Sequence, residues 1–321
     1  MAVYTDVSAA DLGGFLDTYD IGTLTALKGI AEGVENSNFL LGTTAGTFIL
    51  TLYEKRVAKG DLPFFVALLE HFSKKGLTCP QPVANRDGTA LGELCGRPAA
   101  IMTFLDGVWI ADPQPTHCHA LGEVLAKLHL AVADFPLARP NPLSVAGWHA
   151  LLAQAGARAD EVAPGLAAEA AAALAVIEAH WPADLPGGVV HADLFPDNVF
   201  FLGERLSGLI DFYFACTDSF AYDLSICLNA WCFDPEHRFD PARSHALMQG
   251  YTSVRPLGAA EIAALPVLAR GSALRFMLTR LVDWLNVPPG ALVKPKDPRE
   301  YLAKLRFHGG VGDARIYGVS G

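Results

Sequence analysis

The sequence predicts an α+β fold of two lobes, a strand-rich N-terminal lobe over residues 1–105 and a mainly helical C-terminal lobe over residues 106–321. Two patterns carry that expectation. Before residue 105, short apolar runs alternate with turns that contain Gly or Asp-Gly; from His117 onward, apolar residues recur with long helical periods. A third observation is an interruption inside the helical half, where residues 188–214 read as β-like runs flanking a polar loop.

The elements follow in order. Residues 39–53 hold two strand-like runs around a Gly-containing turn, a hairpin signal. Asp61-Leu62-Pro63 supplies a natural N-cap and a proline near the first helical turn. Apolar residues at 65, 66, 68, 69 and 72 continue that helix, and Gly76 ends it. Asp87-Gly88 marks a second turn within 83–94, and residues 97–105 form a third strand-like stretch that closes at Asp106-Gly107. In the second lobe, helices are expected over 117–132, 145–158, 166–181 and 265–285. A tail with Pro288, Pro289, Pro295 and Pro298 is expected to wrap the surface before a short helix at 299–307.

Composition narrows the function classes. Half of the 321 residues are apolar and only 18% are charged, so a large core forms readily and disorder is not expected. A net charge of −10 argues against a nucleic-acid partner, whose affinity would come from clustered Lys and Arg. It leaves ATP open, because a phosphate site needs only a few local donors. Residues 1–11 lack a signal-peptide pattern, and the richest apolar stretch, 167–177, is short and reads as an Ala-rich helix, so no membrane association is expected. Six cysteines without a CxxC pair suit buried thiols in a reducing cytoplasm. His117-Cys118-His119 lacks further spaced ligands and reads as structure rather than as a metal site.

One segment carries chemistry. His191-Ala192-Asp193-Leu194-Phe195-Pro196-Asp197-Asn198 is a polar loop between two apolar β-like runs, and Leu209-Ile210-Asp211-Phe212 places another acid at the end of the next run. Phosphoryl transfer asks for such a set: a carboxylate to orient the attacking hydroxyl, and an amide with a second carboxylate to hold Mg²⁺ against the phosphates. Taken singly, HxD is common and Asp-Asn is a turn dipeptide; the spacing of the whole set is what points to a kinase.

That set resembles the aminoglycoside phosphotransferase/choline kinase superfamily, which is similar in fold to the protein kinases. The resemblance implies Asp193 as the catalytic acid, Asn198 and Asp211 as metal ligands, and His191 and Asp223 (in Ala221-Tyr222-Asp223-Leu224) as supports. It implies a phosphate-covering loop with Gly33, Asn36, Ser37 and Asn38, and an adenine hinge at Thr103 and Leu105. Thr51 stands where the superfamily has a strand Lys or Arg; the nearest cations are Lys55 and Arg56, with Glu70 as a conceivable helix partner. Along nearly the whole chain the motifs Gly33-Val34-Glu35-Asn36-Ser37-Asn38-Phe39, Thr51 with its flanks and Asp61-Leu62-Pro63 resemble the homoserine kinases of this fold. The resemblance implies ATP and Mg²⁺, L-homoserine as the small-molecule acceptor and O-phospho-L-homoserine, on the route to threonine, as product, with no obligatory protein partner. An acceptor with an α-ammonium and an α-carboxylate asks for an acid and a cation; residues 213–223 and the stretch with Arg275, Arg280, Asp283 and Trp284 are contributors to consider. Kinases of choline, methylthioribose or an aminoglycoside are the alternative, and a kinase-like binding module without catalysis is the other.

Overall fold

The computed structural model describes residues 5–30, 36–54, 58–287 and 295–319. The chain forms two compact units, one of Met1–Gly107 with Ser207–Tyr213 and the other of Val108–Leu206 with Phe214–Gly321.

The first unit is built on an antiparallel five-stranded sheet. In chain order its elements are α1 (Ala9–Leu16), β1 (Leu24–Gly29), β2 (Ser37–Thr43), β3 (Gly46–Leu52), α2 (Leu62–Lys74), β4 (Leu91–Leu94) and β5 (Arg97–Thr103), and the strand order is β1-β2-β3-β5-β4. Strand β2 alternates strictly between buried and half-buried residues, which sends Phe39 and Leu41 into a core shared with Leu12 and Leu16 of α1, Leu50, Leu52, Ala99 and Ile101. The β2–β3 hairpin is the one expected from residues 39–53; Gly46 supplies its left-handed turn with φ 144°. Helix α2 also forms and Gly76 ends it at φ 77°. Its entry differs from the expectation. Asp61 sits at the N-cap position with helical backbone and makes no side-chain cap bond, because a 3₁₀ turn, Lys59–Asp61, feeds directly into the helix.

The chain returns to this unit at Ser207–Tyr213. Leu209 N–H donates to Thr78 C=O at 3.0 Å, and Ser207 Oγ donates to Asp106 C=O at 2.8 Å. A Cβ at Gly208 would lie 2.8 Å from Leu105 Cδ1, so a residue without a side chain fits there. Phe212 is buried and packs on Phe72 of α2, ring centroids 5.5 Å apart.

The second unit is mainly helical. Its elements are α3 (Pro115–Ala131), α4 (Val145–Ala155), α5 (Leu166–Ala179), β6 (Gly187–Val190), β7 (Val199–Leu202), β8 (Arg205–Leu209, whose end runs into the first unit), β9 (Cys216–Ser219), α6 (Phe220–Trp231), α7 (Pro241–Val254), α8 (Ala259–Leu285) and α9 (Pro298–Gly309). Strand β6 pairs antiparallel with β9, and β7 with β8 forms a second two-stranded sheet. Helix α6 is buried at every position from Ala221 to Asn229, the mark of a central helix.

Four expectations are corrected here. The helix expected over 145–158 stops at Ala155 and continues as the 3₁₀ turn Gly156–Glu161, with Gly156 at φ 53°. The helix expected from Leu265 begins at Ala259, where the Glu261 carboxylate accepts Gly258 N–H at 2.9 Å; Pro266 lies inside it and packing overrides its propensity. That makes α8, not 167–177, the richest apolar stretch. By length and composition α8 could cross a membrane, yet Leu268, Ala269, Leu274, Met277, Leu278 and Leu281 are buried within the unit. The proline tail is not wholly superficial either, since Pro298 is the buried first residue of α9; Pro288 and Pro289 lie outside the described residues.

Helices α3 and α7 meet backbone to backbone. A Cβ at Gly122 would stand 2.2 Å from Leu247 O and 2.6 Å from Tyr251 N, and one at Gly250 would stand 2.1 Å from His119 O. Backbone cannot swing aside as a side-chain tip can. Gly122→Ala should therefore cost about 1–3 kcal/mol by overpacking, despite alanine's better helix propensity, and the melting temperature should fall by several degrees in a thermal scan; an unchanged or raised melting temperature would contradict this packing.

Candidate active site

The site grows from the exit of β6. Val189 and Val190 are buried against the helices, so the chain enters the unit's interior and must turn there. It turns at Ala192, whose φ of 62° is unusual for a residue with a side chain. Three contacts hold the turn. The N–H groups of His191 and Ala192 each donate to the Asp223 carboxylate at 2.9 Å, one to each oxygen. Arg275 of α8 donates from Nη1 to the Ala192 carbonyl at 2.5 Å. The Arg275 guanidinium is itself buried, 4.3 Å from the Phe276 ring centroid and 5.8 Å from that of Phe214.

Asp223 lies in the first turn of α6, where the helix dipole favours an anion. Complete burial alone would push its carboxyl up; hydrogen bonding from His129 and the backbone donors outweighs this and leaves it below the usual carboxylate range. His129, from the end of α3, lies 3.0 Å from Asp223 Oδ2 through Nε2 and 2.8 Å from the Tyr251 hydroxyl through Nδ1. Burial pushes the His129 imidazole below its ordinary value against the pull of Asp223. A neutral ring that donates from Nε2 and accepts from Tyr251 satisfies both contacts. Arg255 donates to Tyr251 Oη at 3.1 Å and pairs with Glu261 at 2.9 Å, which extends the chain of bonds to α8.

Asp193 follows the turn and is half-buried. Its N–H donates to His191 Nδ1 at 3.3 Å. Its carbonyl accepts Phe195 N–H at 2.9 Å and Asn198 Nδ2 at 2.8 Å, and Asn198 Nδ2 lies 3.4 Å from the Asp193 carboxylate. The loop is thus closed on itself across five residues. Asn198 commits its amide nitrogen to Asp193; its amide oxygen is a hard donor of the kind that suits a cation such as Mg²⁺. Trp231 Nε1 anchors the Leu194 carbonyl at 2.8 Å, and Lys296 pairs with the exposed Asp197 at 3.4 Å. His191, Asp193, Asn198 and Asp223 are therefore brought together in the second unit.

Asp211 belongs to the first unit, half-buried, at φ 63° between Ile210 and the buried Phe212. A non-glycine residue held in this region marks a side chain aimed by its surroundings. Next to it, the Tyr213 hydroxyl lies 3.3 Å from that of Tyr53; burial, then Tyr53 and Asp211, hold it well above its usual value.

The residues expected around the nucleotide are differently engaged. Gly33 lies outside the described residues, as do Lys55 and Arg56. Asn36 Oδ1 accepts Glu54 N–H at 3.3 Å, and Ser37 Oγ donates to Glu54 Oε1 at 2.7 Å; both side chains are buried. Asn38 Oδ1 accepts the Thr51 hydroxyl at 2.8 Å across the β2–β3 pair. These side chains tie the end of the hairpin together. Thr103 N–H donates to Gln81 C=O, and Thr103 Oγ1 accepts Gln81 N–H, both at 2.9 Å. Leu105 packs beneath Gly208, and Glu70 is exposed on α2. His117 accepts Gln114 N–H at 3.0 Å through Nδ1 and so caps α3, while Cys118 is buried beside it. A cavity of about 280 Å³ in the second unit, walled by Trp181, Leu185, Gly188 and Asp218, lies at the Gly187 end of β6 and not at the Asp193 loop.

Sequence reading missed His129 and Tyr251. A lone histidine and a tyrosine on apolar helix faces give no local signal, and His129 is 94 residues from the carboxylate it meets.

Solved structures share this architecture. An amicoumacin kinase in complex with AMP-PNP, Ca²⁺ and amicoumacin aligns over 93% of this chain and 91% of its own at a TM-score of 0.68 and 15% identity. A spectinomycin phosphotransferase in complex with ADP and spectinomycin aligns over 98% of both chains at a TM-score of 0.69 and 11% identity. The fold is that of the protein-kinase-like phosphotransferases, as the sequence led us to expect. Residues 26–257 match the phosphotransferase enzyme family. The homoserine kinase of Methylobacterium radiotolerans is 67% identical over 318 residues, 99% of each chain, and that of Xanthobacter autotrophicus is 64% identical over 320 residues, the whole of each. The chain belongs to the phosphotransferase enzyme family and, within it, to the homoserine kinases, which makes it an ATP-dependent kinase of a hydroxyl group.

Removing the Asp223 carboxylate would leave two buried N–H groups and His129 without their acceptor. Asp223→Ala should cost about 3–5 kcal/mol, the range for breaking a buried charged network, measured by chemical denaturation at pH 7. Because the folded carboxyl sits below its unfolded value, its contribution is complete above the ordinary carboxylate range near pH ~4 and fades as pH falls through the depressed value. The gap between wild type and variant should accordingly hold from pH 8 to 5 and close in acid.

Proposed function

We infer that the chain transfers the γ-phosphate of ATP to the side-chain hydroxyl of L-homoserine and releases O-phospho-L-homoserine on the route to threonine. Full-length identity of 63–67% to homoserine kinases is the observation that carries this reading. Within it, Asp193 orients the acceptor hydroxyl and takes up its proton, in a loop that Asp223, His191 and Arg275 keep in one conformation. Asn198 and Asp211 hold Mg²⁺, which supplies charge neutralisation at the phosphates when bound. The hard oxygen donors of an amide and a carboxylate suit that ion. Residues 1–105 supply the nucleotide-binding lobe and 106–321 the catalytic and acceptor lobe, apart from Ser207–Tyr213, which returns to the first unit. Gly33, Asn36, Ser37 and Asn38 contribute to the phosphates through their backbone, and Thr103 with Leu105 meets the adenine. Six unpaired cysteines agree with a cytoplasmic location, and the acceptor is a small molecule with no protein partner required.

The test is a panel of acceptors with ATP and Mg²⁺: L-homoserine, choline, methylthioribose and kanamycin. Homoserine should give the highest kcat/KM, and a better rate on any other member would overturn the assignment. Asp193→Ala should lower kcat by roughly 10²–10⁴, the usual contribution of a general base, while ATP binding by calorimetry stays within threefold. Near-normal turnover in that variant would remove Asp193 from its role.

A further inference from the structure

Beside the Asp193 loop, α8 and α9 bury an unusual excess of positive charge. Arg275, Arg280 and Lys304 are all at least nine-tenths buried, and Glu300 is the one carboxylate within ion-pair distance of any of them among the described residues. Glu300 takes one bond from Arg280 Nη1 and another from Lys304 Nζ at 2.6 Å. Burial pushes the Glu300 carboxyl up, but the two cations prevail and bring it down to about 2. Lys304 is held below its ordinary value by burial in spite of Glu300, so the cluster is short of anionic partners and not of cations.

Arg280 is the cation in a position to act. Its contacts, to Glu300 and at 3.5 Å to the Asp297 carbonyl, both use Nη1. Among the described residues Nε–H and Nη2–H take no partner and remain as a planar fork, the geometry that receives a carboxylate in two parallel bonds. The guanidinium lies 4.4 Å from the Tyr301 ring centroid, and the Tyr301 hydroxyl is buried without a hydrogen-bond partner among the described residues. Such a hydroxyl is an unspent donor. The same ring leads back to the reacting loop: Tyr301 is 6.3 Å from Phe195, whose N–H bonds the Asp193 carbonyl, and Phe276 fills the corner between them at 4.9 and 5.2 Å. Arg275 touches the residue before Asp193, and Arg280 follows five positions on, roughly 7.5 Å along the helix axis.

We propose that Arg280, with the Tyr301 hydroxyl beside it, anchors the α-carboxylate of the acceptor while its hydroxyl end reaches Asp193. The proposal deepens the homoserine reading and rests on it. An amino alcohol without the carboxylate would leave the fork unpaired, so the site discriminates against it.

The experiment compares L-homoserine with 3-aminopropan-1-ol, the same molecule less its carboxylate, on wild type, Arg280→Gln and Arg280→Lys. Wild type should prefer homoserine by at least 100-fold in kcat/KM. Arg280→Gln should raise the KM for homoserine at least 30-fold and narrow the preference equally, with the KM for ATP within twofold; Arg280→Lys should recover part of the loss. Glu300 keeps its bond from Lys304 when Arg280 is replaced; should the single variant still not fold, Tyr301→Phe, which removes only the proposed second donor, serves instead and should raise the homoserine KM at least fivefold. A homoserine KM within twofold of wild type in the variants overturns this proposal alone. So does a wild type that uses 3-aminopropan-1-ol as well as homoserine. A wild type inactive on homoserine overturns the functional reading and this proposal with it.

Discussion

One carboxylate fixes the geometry on which the second unit's site depends. Asp223 receives the N–H groups of two successive residues, and that double grip forces the left-handed turn at Ala192 that presents Asp193. A single hydrogen bond would leave the turn free to relax, because a residue with a side chain gains by leaving the left-handed region. Two bonds to one rigid acceptor, with Arg275 on the intervening carbonyl, remove that freedom. The arrangement is costly to assemble, since Asp223 is completely buried, and so its own support is elaborate: the α6 dipole, His129, and beyond it Tyr251, Arg255 and Glu261.

This support explains features that look unrelated to the site. His129 and Tyr251 meet only because α3 and α7 approach closely enough for Gly122 and Gly250 to touch backbone. Helix α6 is buried on nearly all sides because it carries Asp223 into the middle of the unit and also sends Trp231 to the Leu194 carbonyl. The loop's orientation is thus inherited from helix packing, and its rigidity follows from the density of that packing.

Much of this was legible in the sequence, and the boundary of legibility is physical. The β2–β3 hairpin, α2 and the Asp193 loop announce themselves through short-range rules: alternation, a stop glycine, and polar residues between apolar runs. Helix α8 was half seen: its first turn is largely exposed and gives little apolar signal, whereas the mostly buried stretch from Leu268 to Leu281 holds the helix together despite the proline near its start. Strand β1 gives little signal because its residues alternate poorly and four of six are exposed. Asp61 has the right residue type for a cap but not the backbone, which a 3₁₀ turn had already made helical. Motif spacing singled out Asp193, Asn198 and Asp211, and the family resemblance added His191 and Asp223. His129 and Tyr251, which support the Asp193 loop, were not legible, since their significance lies wholly in what distant helices bring to them.

Helix α8 touches both ends of the proposed acceptor path: Arg275 at the loop and Arg280 one and a half turns on. A single stretch of helix therefore acts as a ruler. Its rise per residue is invariant and its flanks are packed, so the interval it sets cannot be stretched by a side-chain rotation. On the proposed anchoring, an acceptor one methylene shorter or longer than homoserine should reach one mark at the expense of the other. Selectivity for chain length is then a property of secondary structure, and drift toward a different amino-acid alcohol would have to begin by moving an anchor to another turn of the helix.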